Sequence, residues 1–248
     1  MEEIRPKRPW YTNTGAIIGL ALGGTILLLA GFFIFLTGSY WRQIRQGGGA
    51  KLQAQFASAF SQAQGQAVAA RGEIDRTRLE LSTAPLTGAA RAPIKIVEFI
   101  DFKCPNCQTA APILFQVLQK FPTQVQLIAR HFPVESTHPG ATELASVGVC
   151  AHAQGRFWAV YDWFYKNQAA LTEVFSDADR DRLVAATGLD ASVLAACLVN
   201  PATITTVNRD YADALTFGVR GTPTFFINGE KVEGVIPFTA WEGFLKSF

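Results

Sequence analysis

The 248-residue chain predicts an α/β domain carried behind a single N-terminal transmembrane helix, and three observations predict it. Ala16 to Leu36 contains no charged residue. Ile94–Ile100 reads as a buried strand, runs through Cys104-Pro105-Asn106-Cys107 into a helix-patterned segment, and is followed by an alternating strand over Val125–His131. A long helical stretch then separates this β-α-β unit from a closing strand, turn, strand and final helix.

The uncharged run spans about 31 Å as a helix, which matches the hydrocarbon thickness of a bilayer. Trp10 and Tyr11 flank it on one side and Tyr40 and Trp41 on the other, as interfacial anchors do. It explains much of a mean hydropathy of +0.16. A cleaved signal peptide would have a shorter apolar core and a small-x-small exit, whereas this run leaves through Leu36-Thr37-Gly38-Ser39-Tyr40-Trp41. A buried core helix is disfavoured by so long an uncharged N-terminal run. Charge does not orient the span, because Arg5, Lys7 and Arg8 precede it while Arg42, Arg45 and Lys51 follow. Four cysteines behind an anchor suit an oxidising compartment, which places the N-terminus in the cytoplasm and the large domain outside. A net charge of +2 on scattered basic residues gives no nucleic-acid footprint.

The expected organisation is a short cytoplasmic N-terminus over 1–15, an anchor over 16–41, a partly helical linker or stalk over 42–78, and a domain over 79–248. Gly47-Gly48-Gly49 is a flexible break, and Phe56, Phe60 and Val68 have rough helical spacing in an Ala/Gln-rich stretch. That stretch reads as a spacer, a helix lying on the domain, or a dimerisation segment. Within the domain, a short strand is expected around Arg78–Leu81. Pro105 suits the first turn of a helix that ends before Pro122, with a kink near Pro112. The β-α-β unit implies parallel pairing with a right-handed crossover. Four helices follow in an insertion over about 137–198: Ala141–Gln154, Arg156–Ala169, Asp177–Thr187 and Ala191–Leu198. The rings of Phe157, Trp158, Tyr161, Trp163, Phe164 and Tyr165 read as core packing, with a substrate groove as the alternative. Another helix runs from Pro201 to about Phe217. Thr222–Val232 reads as strand, Asn228-Gly229 turn and strand, and Phe238–Phe248 as the last helix.

The chemistry sits in the CxxC. Two thiols at the junction of a strand and a helix meet the exposed N–H groups and positive dipole end of that helix, which favour a thiolate on Cys104. Cys107, nearly one turn on, is close enough to close a small disulfide ring, the geometry that thiol–disulfide exchange needs. The competing reading is a zinc half-site. Zinc needs two further ligands at finger-like spacing, and Cys150 and Cys197 are single and distant. Cys150-Ala151-His152 offers a pair on paper, but residues two apart on a helix face apart. A Cys–His nucleophile would need a histidine beside it. His131, His138 and His152 read instead as core or loop residues.

With "VEFIDFKCPNC", "GVRGTPTFFING" and the helical stretch between them, the chain resembles the DsbA-like branch of the thioredoxin superfamily from roughly Leu79 to Phe248. The resemblance implies a thioredoxin fold with a helical insertion, preceded here by the transmembrane helix. It implies a membrane-anchored thiol:disulfide oxidoreductase that forms disulfides in exported proteins. Cys104 matches the family's nucleophile, exposed at the helix start, and Cys107 its buried resolving partner, so the cofactor is the Cys104–Cys107 disulfide itself and no other is implied. Pro105 and Asn106 match the dipeptide that tunes Cys104. Glu98 matches a semi-buried acid that relays a proton for Cys107, the alternative being a satisfied strand-end carboxylate; Asp101 is expected to be exposed. Pro223 matches a cis-proline facing the active site, and Thr222 a residue that offers its backbone to substrate. Cys150 and Cys197 match cysteines that pair within the insertion of some relatives, where a loop of that size stabilises by roughly 4 kcal/mol; two buried free thiols are the alternative. Implied partners are cysteine-containing exported proteins and a quinone-linked membrane reoxidant of the DsbB or vitamin K epoxide reductase-like kind. Two other functions fit the same features: a reductase or isomerase of this fold, and a non-catalytic assembly factor or chaperone.

Overall fold

A computed structural model of the chain describes residues 14–45, 74–171 and 174–246; residues 1–13 of the N-terminal tail expected over 1–15, and residues 46–73 of the linker expected over 42–78, lie outside the described residues. The chain divides into two compact units, residues 1–69 and 70–248.

In the first unit α1 spans Thr14–Arg45, and its window Leu22–Ser39 has a mean hydropathy of 1.9 with none of it buried. Phe32, Phe33, Ile34 and Phe35 are all exposed, so the helix is apolar on every face rather than along one stripe. Thr37 and Ser39 turn their hydroxyls back onto the carbonyls of Phe33 and Leu36, which leaves no polar group for lipid to accommodate at those positions. Length and surface both fit a single-pass anchor.

The second unit opens with α2 (Arg76–Leu79), where a strand was expected. Arg78-Leu79-Glu80-Leu81 alternates like a strand, but Asp75 accepts from the backbone of Thr77 and Arg78 and caps a helical turn instead. The first strand, β1 (Leu86–Gly88), lies further on and pairs antiparallel with β3 (Val125–His131). β2 (Ile94–Ile100) pairs parallel with β3 on one side and antiparallel with β4 (Thr224–Ile227) on the other. β5 (Glu230–Glu233) completes a sheet of order β1-β3-β2-β4-β5. Asn228 and Gly229 both take positive φ in the β4–β5 turn, 49° and 94°, as a two-residue hairpin requires.

Alternation along β2 divides the core. Ile94 and Ile96 face α3 (Pro105–Lys120) and α9 (Phe238–Leu245), packing on Leu114, Trp241 and Leu245. Val97 and Phe99 face the opposite side, toward Ala214 of α8 (Pro201–Thr216) and Phe217. α3 runs through Pro112 unbroken. On that opposite side Arg130 of β3 is fully buried, bonded to Asp210 and Asp213 of α8 and to the carbonyls of Arg78 and Leu79. Removing either partner of so buried a pair would strand a charge, so the network locks α2, β3 and α8 in register.

The insertion comprises α4 (Ala141–Ala153), α5 (Phe157–Asn167), α6 (Asp177–Thr187) and α7 (Ala191–Leu198). A Cβ on Gly148 would meet His131 Cε1 at 2.8 Å and Phe102 Cε2 at 2.9 Å, so glycine is what lets α4 approach the sheet. Cys150 and Cys197 form a disulfide, S–S 2.05 Å, that joins α4 to α7.

Candidate active site

The turn that ends β2 places Cys104 at the N-cap of α3, with extended backbone (φ −73°, ψ 122°) and Pro105 inside the first turn. Three hydrogen bonds hold this turn from below. Asp101 Oδ1 accepts from the Lys103 N–H, its Oδ2 accepts from the Val134 N–H, and the same oxygen meets His138 Nδ1 at 2.7 Å. Asp101, expected to be exposed, is therefore buried, because a loop more than thirty residues downstream folds over it and supplies donors. Gln168 adds a donor to the carbonyls of Phe102 and Cys104.

Across from the turn, the Thr222–Pro223 bond is cis. Cys104 Sγ lies 3.2 Å from the Thr222 carbonyl oxygen, which accepts from it when the thiol is protonated. Cys104 is thus placed against the Thr222–Pro223 loop, the two parts of the sequence singled out for this site.

The two thiols sit in opposite fields. Cys104, expected to be exposed, is buried where the helix start packs against the Thr222–Pro223 loop. It is pulled down to about 5, chiefly by a hydrogen bond from the Cys107 thiol, against the cost of burial, with help from Thr222 and the N–H groups of Cys107 and Asn106. It is a thiolate at neutral pH. Cys107 is fully buried and pushed well up, first by desolvation and then by Cys104 and Glu98. It remains a thiol.

Glu98 lies beneath them, fully buried on the α3-facing side of β2. Loss of water lifts its carboxyl to about 8, opposed only by a hydrogen bond from Tyr161 at 3.0 Å. Oε1 has no partner. The reading of Glu98 as a satisfied strand-end carboxylate thus does not describe it. Tyr161 and Tyr165 face the same dry cluster, and Tyr165 donates to the Asp101 carbonyl. The sequence reads both as core rings, with a substrate groove as the alternative, and offers no hydroxyl role for either. Their spacing of four puts them on one face of α5, but nothing in it shows where the hydroxyls end.

His131 is buried among Phe102 and Phe157 and held neutral by desolvation, down to about 4. His152 meets the Thr83 carbonyl. Cys150 and Cys197, bonded to each other, are not the further thiolates a zinc site at the CxxC would need.

A family model described as thioredoxin matches residues 80–247. The chain belongs to the thioredoxin family. A curated relative named Na(+)/H(+) antiporter NhaA 3, from Salinispora tropica, is 33% identical over 147 residues, covering 59% of this chain. The chain matches only 22% of that relative's length. Among solved structures, the thiol-disulfide exchange protein alpha-DsbA2 from Wolbachia pipientis superposes with a TM-score of 0.60 at 17% identity, covering 69% of this chain and 90% of that one. A periplasmic thioredoxin-like protein from Salmonella enterica serovar Typhimurium gives 0.58 at 20%, covering 69% and 94%. These likenesses establish the thioredoxin fold with its helical insertion.

Proposed function

We propose that this protein is a membrane-anchored thiol:disulfide oxidoreductase that introduces disulfides into exported proteins. The observation that carries the reading is the split between its two active-site thiols, one ionised at neutral pH and at the helix N-terminus, the other neutral and buried. A stable Cys104 thiolate favours the reduced enzyme, which makes the disulfide form a stronger oxidant.

The reaction runs as follows. A substrate thiolate attacks Cys104 Sγ; the Cys104–Cys107 bond breaks, and Cys107 leaves with the electron pair and takes a proton from Glu98. A second substrate thiolate then attacks the substrate sulfur of the mixed disulfide and releases Cys104 as a thiolate. Two electrons pass from substrate to enzyme. Thr222 and Pro223 face Cys104 and line up an extended substrate chain, while Pro105 and Asn106 shape the helix start that stabilises the thiolate. Reoxidation falls to a quinone-linked membrane partner.

The apolar surface of α1 supports a single-pass anchor, and the likeness to a periplasmic thioredoxin-like protein supports an extracytoplasmic domain. The test is the reduction potential of the 104/107 pair at pH 7 in glutathione buffers, with Cys150 and Cys197 intact. A value above about −200 mV is expected for an oxidase. One below about −250 mV would reassign the protein as a reductase.

A further inference from the structure

Tyr161 packs among Phe102, Phe115 and Trp158 as a core ring should. Its hydroxyl does something a phenylalanine could not. Resting on the exchange reaction proposed above, we infer that Tyr161 is a positioning residue for the Glu98 proton relay: it occupies Oε2 and leaves Oε1 to carry the proton exchanged with Cys107.

Both residues are essentially inaccessible, Glu98 at 0% and Tyr161 at 1% exposure. Tyr161 Oη donates to Oε2 at 3.0 Å, while Oε1 is buried with no partner. A carboxyl oxygen that accepts such a bond is the poorer place for the acid proton. Neutral Glu98 therefore keeps its proton on Oε1, and ionised Glu98 keeps the tyrosine bond as its one compensation for burial.

The groups around Glu98 leave this role to Tyr161. From α3 come Cys107 and, beyond it, Cys104; from α5 come Tyr161 and Tyr165; Asp101 follows at the end of β2. The residues directly opposite on the neighbouring strands are Ala129 and Phe225, which carry no charge. Arg130 lies over Phe99 on the other face of the sheet, satisfied by Asp210 and Asp213. Among the described residues no cation pairs with Glu98. The ionisable groups named from α3, α5 and the end of β2 are all acids, whose charge would oppose that of Glu98, and among the described residues only Tyr161 donates a hydrogen bond to it.

The step that exposes this role is the attack of Cys107 on a mixed disulfide. The Cys107–Cys104 bond forms and the Cys104–substrate bond breaks. The substrate sulfur leaves as a thiolate, and the Cys107 proton passes to ionised Glu98. A hydrogen bond to the charged form favours it, so losing the hydroxyl makes that carboxylate harder to form.

The experiment follows release of glutathione from a preformed Cys104–glutathione disulfide by stopped flow between pH 5 and 9, in the full chain, its Tyr161→Phe variant and a Glu98→Gln variant. Tyr161→Phe is expected to move the inflection up by about one pH unit and slow release about tenfold below it. Glu98→Gln is expected to abolish the inflection. The ultraviolet titration of the Cys104 thiolate should be unchanged in Tyr161→Phe, which a merely structural disturbance of the site would not allow. If Tyr161→Phe does not fold, 3-fluorotyrosine at 161, a stronger donor, should move the inflection down. An inflection that stays in place in the folded variant, or with fluorotyrosine, overturns the role of Tyr161. Absence of any release in the unmodified chain overturns the exchange reading itself.

Discussion

Cys104 and Cys107 share a buried cluster with Cys150, and Cys197 packs against its edge, yet the helices that carry these sulfurs treat them differently. Cys104 stands at the N-cap of α3, where unsatisfied N–H groups and the positive dipole end favour a thiolate. Cys150 is interior to α4, whose N–H groups are already taken, and Cys197 is in the last turn of α7, where the dipole end is negative. Burial alone therefore does not mark a reactive cysteine in this fold. A neighbouring thiol that donates and a place at the helix N-cap do, and together they assign one pair to chemistry and the other to holding α4 against α7.

The hardest break of that comparison is Cys104→Ser. It removes the thiolate and should reduce exchange to the uncatalysed background, while Cys150 and Cys197 remain joined. A peptide-oxidation assay with parallel thiol counting checks both halves. Next comes removal of the other pair. Cys150→Ala with Cys197→Ala should destabilise the domain by about 4 kcal/mol, for a loop closed over 47 residues. The reduction potential of the 104/107 pair should stay where it was. Urea unfolding gives the first number and glutathione equilibration the second. A shift in potential as large as the loss in stability would mean that the pairs are not separate devices.

Glu98 sharpens the contrast through pH. Above its ordinary value of 4.5 and up to about 8, folded Glu98 holds a proton that the unfolded chain has lost, so stability falls as pH rises. Cys104 works the other way. Folded, it has lost its proton above about 5 while the unfolded thiol keeps its own to about 9, so its contribution is lost as pH falls. His131, held neutral down to about 4, acts only below its ordinary 6.5. Between pH 6.5 and 8 the first two slopes oppose each other in the reduced protein. Glu98→Gln should unmask a rise of about 1 kcal/mol per pH unit, and Cys104→Ser a fall of similar size. Equal slopes in both variants would show that the two groups do not titrate as their surroundings dictate.

Much of this was legible in the residues. β2, β3, α6 and α7 lie where periodicity and their bounding glycines and prolines put them, because each carries its own local signal. The disulfide was legible only by resemblance. What failed depends on distant chain. Asp101 looks exposed until the loop carrying Val134 and His138 covers it. Arg130 sits in an alternating strand and would be taken as a solvent-facing residue, but Asp210 and Asp213 arrive from α8 to bury it. Tyr161 reads as one ring among six on α5, and only the fold reveals that its hydroxyl ends on Glu98. Polar residues whose partners are supplied by another element leave no periodic trace.

The smallest effect compares the two settings directly, the N-cap beside Cys107 and the interior of α4. Cys197→Ser frees Cys150 as a thiol, and its alkylation can be followed beside that of Cys104 by mass spectrometry. At pH 7 the two rates need not differ much. A thiol with the ordinary pKa of about 8.5 is ionised only to a few per cent, but its thiolate is more nucleophilic. With a Brønsted coefficient of about 0.4–0.5, a gap of roughly 3.5 units returns about fortyfold. The discrimination lies in the pH profile. Cys104, ionised above about 5, should react at a nearly constant rate from pH 8 down to 6, whereas Cys150 should slow about tenfold for each unit. The lead of Cys104 should therefore widen steadily as pH falls, and burial of Cys150 adds to it at every pH. Parallel profiles for the two sulfurs would mean that the N-cap of α3 and the Cys107 thiol together give Cys104 no advantage over a cysteine in the middle of a helix.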